Sequence, residues 1–186
     1  MPPPRPRNAV ATRASILDAA RRRFVRESYD NVGLREIAAD AGVDAALVSR
    51  YFGSKEELFS EVLSSTGGPG DLFAGEVSDF GRRVAEMITS DPRHQEKLDG
   101  LLIMLNSASS PKAATVVRAR ADEEFYGPFT AWLGGENART RARLAGAVLM
   151  GASLGRVLNA DFGLAEHDLA DFKTRLANLL QAAITC

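Results

Sequence analysis

Apolar residues recur at helical spacing along nearly the whole chain, and stretches rich in glycine, proline and polar residues separate the helical segments. No stretch alternates between apolar and polar residues for long enough to indicate a strand, so the predicted fold class is all-α. The predicted N-terminal helices span residues 12–27, 34–40 and 45–51, with a fourth that begins at 54–57. The predicted C-terminal helices span residues 71–89, 91–105, 113–133, 137–160 and 164–184, with a kink in the third of these at Pro128.

The second and third predicted helices are separated by a single tight turn. Gly42 can adopt the left-handed conformation that ends a helix, and Asp44 can cap the next helix. Val48 and Phe52 lie one helical turn apart on the side that must be buried. This arrangement is typical of the helix-turn-helix of DNA-binding proteins, although ordinary packing in an all-α protein produces the same pattern.

Three sequence elements extend this pattern: IAADAGV, RYF and GSKEELF, in that order between residues 37 and 59. Their order and spacing resemble the N-terminal domain of the TetR (tetracycline repressor) family of bacterial transcriptional regulators over about residues 12–63. The rest of the chain matches that family only in length and helical character. The resemblance implies a three-helix DNA-binding domain at residues 9–63 and a helical ligand-binding and dimerisation domain at 70–186.

The resemblance also implies which residues face DNA, namely Gly33, Ala45, Ala46, Leu47, Ser49, Arg50, Tyr51 and Lys55. Arg50 can pair with guanine or phosphate, while the hydroxyl groups of Ser49 and Tyr51 suit phosphate oxygens. Lys55 lies in the first turn of a helix, where the helix dipole disfavours a cation unless an anion lies opposite. The alanines and the leucine lack hydrogen-bonding side chains. We therefore expect few direct base contacts and some readout of DNA shape.

Two further sets of residues follow from the same resemblance. Those expected to bind a small, often apolar ligand are Phe80, Met87, Met104, Phe125, Phe129, Trp132 and Met150. Those expected at a homodimer interface formed by the last two helices are Gly151, Ala152, Gly155, Leu176, Leu180 and Ala183. The alternatives are that the first set fills the core and that the second set packs only within one chain.

Composition adds limits to these expectations. Hydrophobic residues make up 45% and charged residues 25% of the 186 residues, with a net charge of −1, as in an ordinary globular protein. The N-terminal segment is nevertheless rich in arginine from Arg5 to Arg26, as a local phosphate-binding surface would require. Cys186 is the only cysteine, and neither His94 nor His167 has a metal-ligand partner at helical spacing. We expect no catalytic residues, no metal and no cofactor.

The sequence also lacks a secretory signal and an apolar run of membrane-spanning length, so a cytoplasmic protein is expected. Taken together, these features predict a homodimeric transcriptional regulator that acts as a repressor rather than as an activator. It would bind a near-palindromic operator and release it when a small molecule binds. The alternative is a helical small-molecule-binding or interaction module whose DNA binding has become degenerate and non-specific.

Overall fold

A computed structural model describes residues 6–66, 70–90, 94–159 and 161–185. Helices account for most of these residues, and no strand occurs among them, which confirms the all-α class. The chain divides into two compact units, which are described separately below. The first contains the residues up to Thr66 together with Leu102–Arg120, and the second contains Gly67–Leu101 and the residues from Ala121 onward.

The first unit is built around the predicted helix-turn-helix. Its helices are α1 (Pro6–Arg26), α2 (Leu34–Ala41), α3 (Ala45–Phe52), α4 (Lys55–Ser65), the end of α6 (His94–Asn106) and α7 (Pro111–Arg120). The helix α1 packs on α2 and α4, while α7 packs on α4. The predicted start of the first helix at residue 12 is wrong, since α1 begins at Pro6 and proline is well suited to a first helical turn.

Aromatic rings form the centre of this unit. Phe24 is fully buried, and its ring centroid lies 4.9 Å from that of Phe59 and 6.1 Å from that of Tyr29. The predicted turn is also present, because Gly42 has φ 67° and ends α2 in the left-handed conformation. The residues 102–120 join this unit through Ile103 and Ala113, both fully buried in the same core.

The second unit is a separate helical bundle. Its helices are α5 (Phe80–Ser90), the start of α6, a π-helical segment (Ala121–Tyr126), α8 (Gly127–Leu133), α9 (Ala138–Leu158) and α10 (Glu166–Ile184). The helix α10 packs against both α5 and α9, and α8 packs against α9. The largest fully buried side chains include Phe80, Ile88, Phe129, Leu180 and Ile184.

Two predicted helices of this part of the chain differ from the observed ones. The helix predicted from residue 71 begins at Phe80, after two short 3-10 turns. In the absence of these first helical turns, the Arg83 guanidinium donates hydrogen bonds to the carbonyl oxygens of Leu72 (3.2 Å) and Glu76 (3.4 Å). A side chain thus satisfies backbone groups that a longer helix would have satisfied.

The long helix predicted over residues 113–133 is interrupted where Pro128 predicted a kink. Proline has no N–H to donate to the preceding turn, and its ring crowds that turn. The chain accommodates this with the wide π-helical turn of Ala121–Tyr126. The predicted helix start at residues 91–92 lies outside the described residues.

Candidate nucleic-acid interface

The helix α3 presents one polar face of the first unit to solvent. Asp44 fixes its start, because the carboxylate oxygen Oδ1 accepts a hydrogen bond from the backbone N–H of Ala46 at 2.7 Å. Gly53, with φ 71°, ends it. Val48 and Phe52 are buried, so the opposite face is the one that can meet a partner.

The predicted DNA-facing residues of α3 divide into two groups by exposure. Ala46, Ser49 and Arg50 are exposed on the outer face. Ala45 and Tyr51 are half-buried and pack against the core of the unit, and Leu47 is also half-buried. The outer face therefore has a single long cationic side chain, Arg50, flanked by small residues.

Lys55 occupies the first turn of α4 but does not extend freely into solvent. Its ammonium group lies 4.3 Å from the centroid of the Tyr29 ring, a distance suited to a cation–π contact. Burial lowers the pKa of Lys55, while the nearby carboxylates of Asp30 and Glu56 act in the opposite direction. The Lys55 side chain is thus held in place beside the start of α4, where a phosphate group was expected.

Gly33, which was expected to face DNA, is the N-cap residue of α2. Its own N–H is already used, since it donates to the Glu36 carboxylate at 2.9 Å. Glu36 thereby supplies half of a capping box, and glycine has no side chain to supply the other half.

Most arginines of α1 are paired within the first unit. Arg13 pairs with Glu61, Arg21 and Arg22 pair with Asp18, and Arg23 pairs with Asp40, leaving less free positive charge than the sequence suggested. The Arg23 guanidinium also holds the pKa of the Asp40 carboxyl below its usual range. Arg5 lies outside the described residues.

Sequence reasoning missed Arg35, an exposed residue in the first turn of α2. Within the described part of the chain, neither Arg35 nor Arg50 has an ion pair with a carboxylate. A cation in the first turn of a helix is disfavoured by the helix dipole. The same signal that singled out Lys55 could therefore have found Arg35.

An open groove of about 400 Å³ lies beside the end of α3. Its lining residues are Tyr51, Phe52, Gly53, Glu57, Ser60, Glu61 and Arg120. Two carboxylates against one guanidinium make this groove a poor site for a DNA phosphate, so the polar face of α3 remains the better candidate.

The second unit brings most of the predicted ligand-binding residues together. The ring centroids of Phe80 and Phe129 lie 5.2 Å apart, that of Trp132 lies 5.6 Å from Phe80, and that of Phe125 lies 5.6 Å from Phe129. Phe73, which was not predicted, joins them at 5.0 Å from Phe129. We call these five side chains the aromatic cluster.

The three predicted methionines are divided among different places. Met87 packs against the same core as the aromatic cluster. Met150 is 40% exposed on α9, and Met104 belongs to the first unit. The close ring contacts and the complete burial of Phe80 and Phe129 also serve the core of the unit.

The predicted interface residues are partly used inside the chain. Leu176, Leu180 and Ala183 are buried in the core of the second unit. At Gly155 the position of a Cβ lies 3.3 Å from the Phe162 ring, so the small residue serves a contact within the unit. Ala152 is half-buried, whereas Gly151 is exposed with nothing within 4 Å of its Cβ position.

A different set of apolar side chains is exposed on α9 and α10. Leu144, Met150 and Leu158 are 54%, 40% and 78% exposed along α9, and Leu179 is 55% exposed on α10. With Ala147 and Gly151, the α9 residues recur at helical spacing on one face. We call these six residues the apolar stripe. Sequence reasoning missed most of it because the whole of α9 is rich in small and aliphatic residues.

Neither a metal-binding cluster nor a membrane-spanning helix occurs in the described residues. Among the described residues, no three histidine, cysteine, aspartate or glutamate side chains lie close enough to hold a metal ion. None of the helices in those residues combines the length and the apolar character needed to cross a membrane.

Two family profiles match the sequence. The profile of bacterial regulatory proteins of the tetR family matches residues 16–62, and that of the tetracyclin repressor-like C-terminal domain matches residues 78–184, more than half of the chain. The chain belongs to the TetR family. As a TetR-family protein with the helix-turn-helix of that family, it is a DNA-binding transcriptional regulator and not an enzyme.

Similar proteins agree with this membership. The HTH-type transcriptional regulator BetI of Agrobacterium fabrum is 43% identical over 53 residues, which are 28% of this TetR-family chain and 26% of BetI. The match therefore spans only about a quarter of the length of BetI. The crystal structure of a TetR-family regulator, SCO0857 of Streptomyces coelicolor, covers 100% of both chains with a TM-score of 0.60 and 28% identity.

A third similar protein is NalD, the secondary repressor of the MexAB-OprM multidrug efflux pump in Pseudomonas aeruginosa. Its structure superposes with a TM-score of 0.69 and 18% identity, covering 92% of this chain and 95% of NalD. At this identity the likeness shows a shared fold.

Proposed function

We propose that this TetR-family regulator is a repressor that binds a near-palindromic operator as a homodimer and releases it when a small molecule binds. The observation that carries the proposal is Arg50, which is exposed on the outer face of α3 and free of ion pairs within the described residues. A helix of this kind enters the major groove, where a guanidinium can pair with guanine O6 and N7.

Around Arg50, the proposed interface combines few base contacts with several phosphate contacts. Ser49 offers a hydroxyl from the same face, and Ala46 lets the backbone approach the DNA closely. Arg35 and Lys55, at the starts of α2 and α4, are proposed to hold phosphate groups. Tyr51 reaches the same backbone with its hydroxyl, while its ring packs on the core. Gly33, Ala45 and Leu47 shape the surface between these groups.

Dimerisation is proposed to use the apolar stripe on α9 and α10. An exposed face of this kind is stabilised when a second copy covers it, and a two-fold axis pairs each patch with itself. Gly151 and Ala152 allow the partner helix to approach, while Gly155, Leu176, Leu180 and Ala183 support this face from inside the chain. Two copies then present two α3 helices to one operator.

The aromatic cluster is the proposed effector site. Its side chains would contact a small apolar or aromatic molecule, with Met87 as an adaptable neighbour. The proposed site does not include Met104, which belongs to the first unit, or Met150, which is 40% exposed on α9. Because Trp132 is the single tryptophan of the chain, its fluorescence reports on this cluster without a label.

A repressor is favoured over an activator because a dimer bound at a promoter blocks transcription without any further surface. NalD, which shares the fold, is described as a repressor. Since its target is chromosomal DNA, we also propose that the protein acts in the cytoplasm.

The proposal is tested by the binding of the purified protein to the intergenic DNA upstream of its own gene. Scrambled DNA of equal length is the control, and both are measured at two salt concentrations. We expect a complex of two chains per site that discriminates the upstream DNA from the scrambled DNA by a factor of about 10³ or more. A library of small apolar molecules is then screened for release of the DNA and for a change in Trp132 fluorescence.

A second candidate function has one observation in its favour. Ala45, Ala46 and Leu47, the first turn of α3, have no side chain that can form a hydrogen bond to a base. A helical binding module with non-specific DNA affinity would show weak, salt-dependent binding that is equal for both DNAs. If fragments selected from the whole genome gave the same result, the non-specific binding module would replace the repressor as the proposed function.

A further inference from the structure

Arg13 is the arginine of α1 that lies beside the end of α3. Its guanidinium carbon lies 4.8 Å from the centroid of the Phe52 ring, within the range of a cation–π contact. The same guanidinium forms an ion pair with Glu61 of α4. One side chain therefore connects three helices of the DNA-binding unit.

The end of α3 needs tertiary contacts because the helix is short. It has only eight residues, fewer than an isolated helix needs to be stable in water. Phe52 is its last residue and is 6% exposed, and the next residue, Gly53, already leaves the helical conformation. Whatever covers Phe52 therefore also fixes Tyr51 and Arg50, which immediately precede it.

The carboxylate of Glu61 depends on Arg13 in turn. One of its oxygens pairs with Arg13, while the other, Oε2, is shielded from solvent and has no hydrogen-bond partner among the described residues. A shielded carboxylate oxygen without a partner is costly, and removing the cation that pairs with the other oxygen makes the arrangement worse.

We infer that Arg13, together with Glu61, is a positioning residue for DNA reading: it fixes the end of α3 and does not itself bind phosphate. The sequence suggested the opposite, since Arg13 belongs to the arginine-rich N-terminal segment. The inference rests on the proposed function only in so far as α3 reads DNA. The contact itself can be tested without DNA.

The first test is hydrogen exchange of the free protein at the backbone amides of residues 49–53. The Gly53 N–H, which donates to the Ser49 carbonyl at 2.9 Å, is the most direct reporter. We expect Arg13→Gln to speed exchange there by about two- to fivefold, the factor that follows from losing one cation–π contact at a partly exposed site. The matched control is Arg22→Gln, which removes the same charge from α1. Arg22 pairs with Asp18 and not with Glu61. This control should leave these amides unchanged.

The second test separates positioning from phosphate binding. Arg13→Gln should lower the ratio of specific to non-specific DNA affinity by a similar factor and leave the dependence of binding on salt unchanged. A phosphate contact would instead reduce the salt slope by about one and leave the exchange rates as they were. That pair of results, or unchanged exchange alone, would overturn the inference.

The third test is a double-mutant cycle with Glu61. Arg13→Gln leaves Glu61 without its cation, so Arg13→Gln/Glu61→Gln should have a thermal midpoint at least as high as Arg13→Gln alone. If the decreases in thermal midpoint of the two single variants simply add up in the double variant, the ion pair does not link the helices. Arg13→Lys, which keeps the charge, should restore part of the exchange protection and serves if Arg13→Gln does not fold. If the unmodified protein bound no operator, the proposed function would be refuted. The hydrogen-exchange experiment would still decide whether Arg13 fixes the end of α3.

Discussion

At the scale of single residues, a positive charge in the sequence does not indicate what that charge contacts. Arg13, Arg22 and Arg23 read alike in the arginine-rich segment, yet each pairs with a carboxylate of the same unit. Arg35 and Arg50 remain unpaired within the described residues. Fewer side chains are therefore available to bind DNA than the composition indicated. Each of them should contribute a larger share of the binding free energy.

Arg50→Ala should weaken operator binding by about 1–3 kcal/mol and relax the preference at one base pair, because a bidentate contact to guanine is lost. The measurement is a titration of the variant against operators substituted one base pair at a time. Arg22→Ala, which removes a paired arginine, is the control. An Arg50→Ala protein with unchanged affinity and base preference would exclude Arg50 from the interface.

Lys55→Ala should weaken specific and random DNA to a similar degree and reduce the salt slope by about one, since it removes one phosphate contact. The Lys55 side chain already rests on the Tyr29 ring, so a small loss of thermal stability is expected as well. Binding measured over a series of salt concentrations checks the slope. A changed preference between two operator sites would contradict the phosphate role.

At the scale of helices, the ends and the close contacts set the geometry of the interface. Ser54 and Glu57 form a complete capping box at the start of α4: the Glu57 N–H donates to the Ser54 hydroxyl at 3.1 Å, and the Ser54 N–H donates to the Glu57 carboxylate at 2.7 Å. In the second unit, Gly81 of α5 lies against the backbone of α10. Both arrangements can be broken by one substitution.

The capping box should make part of the stability depend on pH. The hydrogen bond from the Ser54 backbone N–H, with the Ser54 hydroxyl, lowers the pKa of Glu57 below its ordinary value of 4.5. The stability that the ionised Glu57 carboxylate contributes to the folded protein is thus present above pH 4.5. It is lost as the pH falls through the lower pKa of the folded state. The thermal midpoints of wild type and Glu57→Gln should differ most near neutral pH and converge in acid. A difference that is constant over this range would show that the Glu57 charge contributes nothing.

Gly81→Ala should destabilise the second unit, by about 3 kcal/mol at the upper end of the usual cost of overpacking. The added Cβ would lie 2.1 Å from the carbonyl oxygen of Ala177, so α5 and α10 must move apart. The reference for this variant is the wild-type protein. Thermal unfolding of both proteins is the measurement, and equal midpoints would refute the close approach at Gly81.

At the scale of the whole molecule, each compact unit has its own task in the proposed function. The first contains the helix-turn-helix together with residues 102–120, and the second contains the aromatic cluster and the apolar stripe. The predicted domain limits of 9–63 and 70–186 remain a proposal about function. Residues 102–120 nevertheless group with the helix-turn-helix, where Asn106 donates to the Val25 carbonyl at 2.7 Å.

Leu144→Glu should dissociate the dimer and, with it, weaken operator binding by more than tenfold, because a charge replaces an apolar side chain at the proposed interface. Sedimentation of the variant gives its mass, and circular dichroism shows whether it remains folded. The control is Leu105→Glu, which changes another exposed leucine outside the apolar stripe. A folded Leu144→Glu protein that stays dimeric would place the interface elsewhere.

The sequence by itself determined the helical class, the turn at Gly42, the caps of α3 and α4 and the family. These features depend on neighbours within a few residues, such as Asp44 and Ala46 or Ser54 and Glu57, and helical periodicity records them directly. Only the tertiary structure decided the pairs of Arg13 and Arg23, because their partners Glu61 and Asp40 lie 48 and 17 positions away in the sequence.

The tertiary structure also decided which apolar residues face outward. Leu176 and Leu179 both occur in α10, but the first is 7% and the second 55% exposed, since only one of them meets the core of the unit. Helical periodicity identifies the faces of a helix rich in aliphatic residues, and the packing of neighbouring helices determines which face is covered.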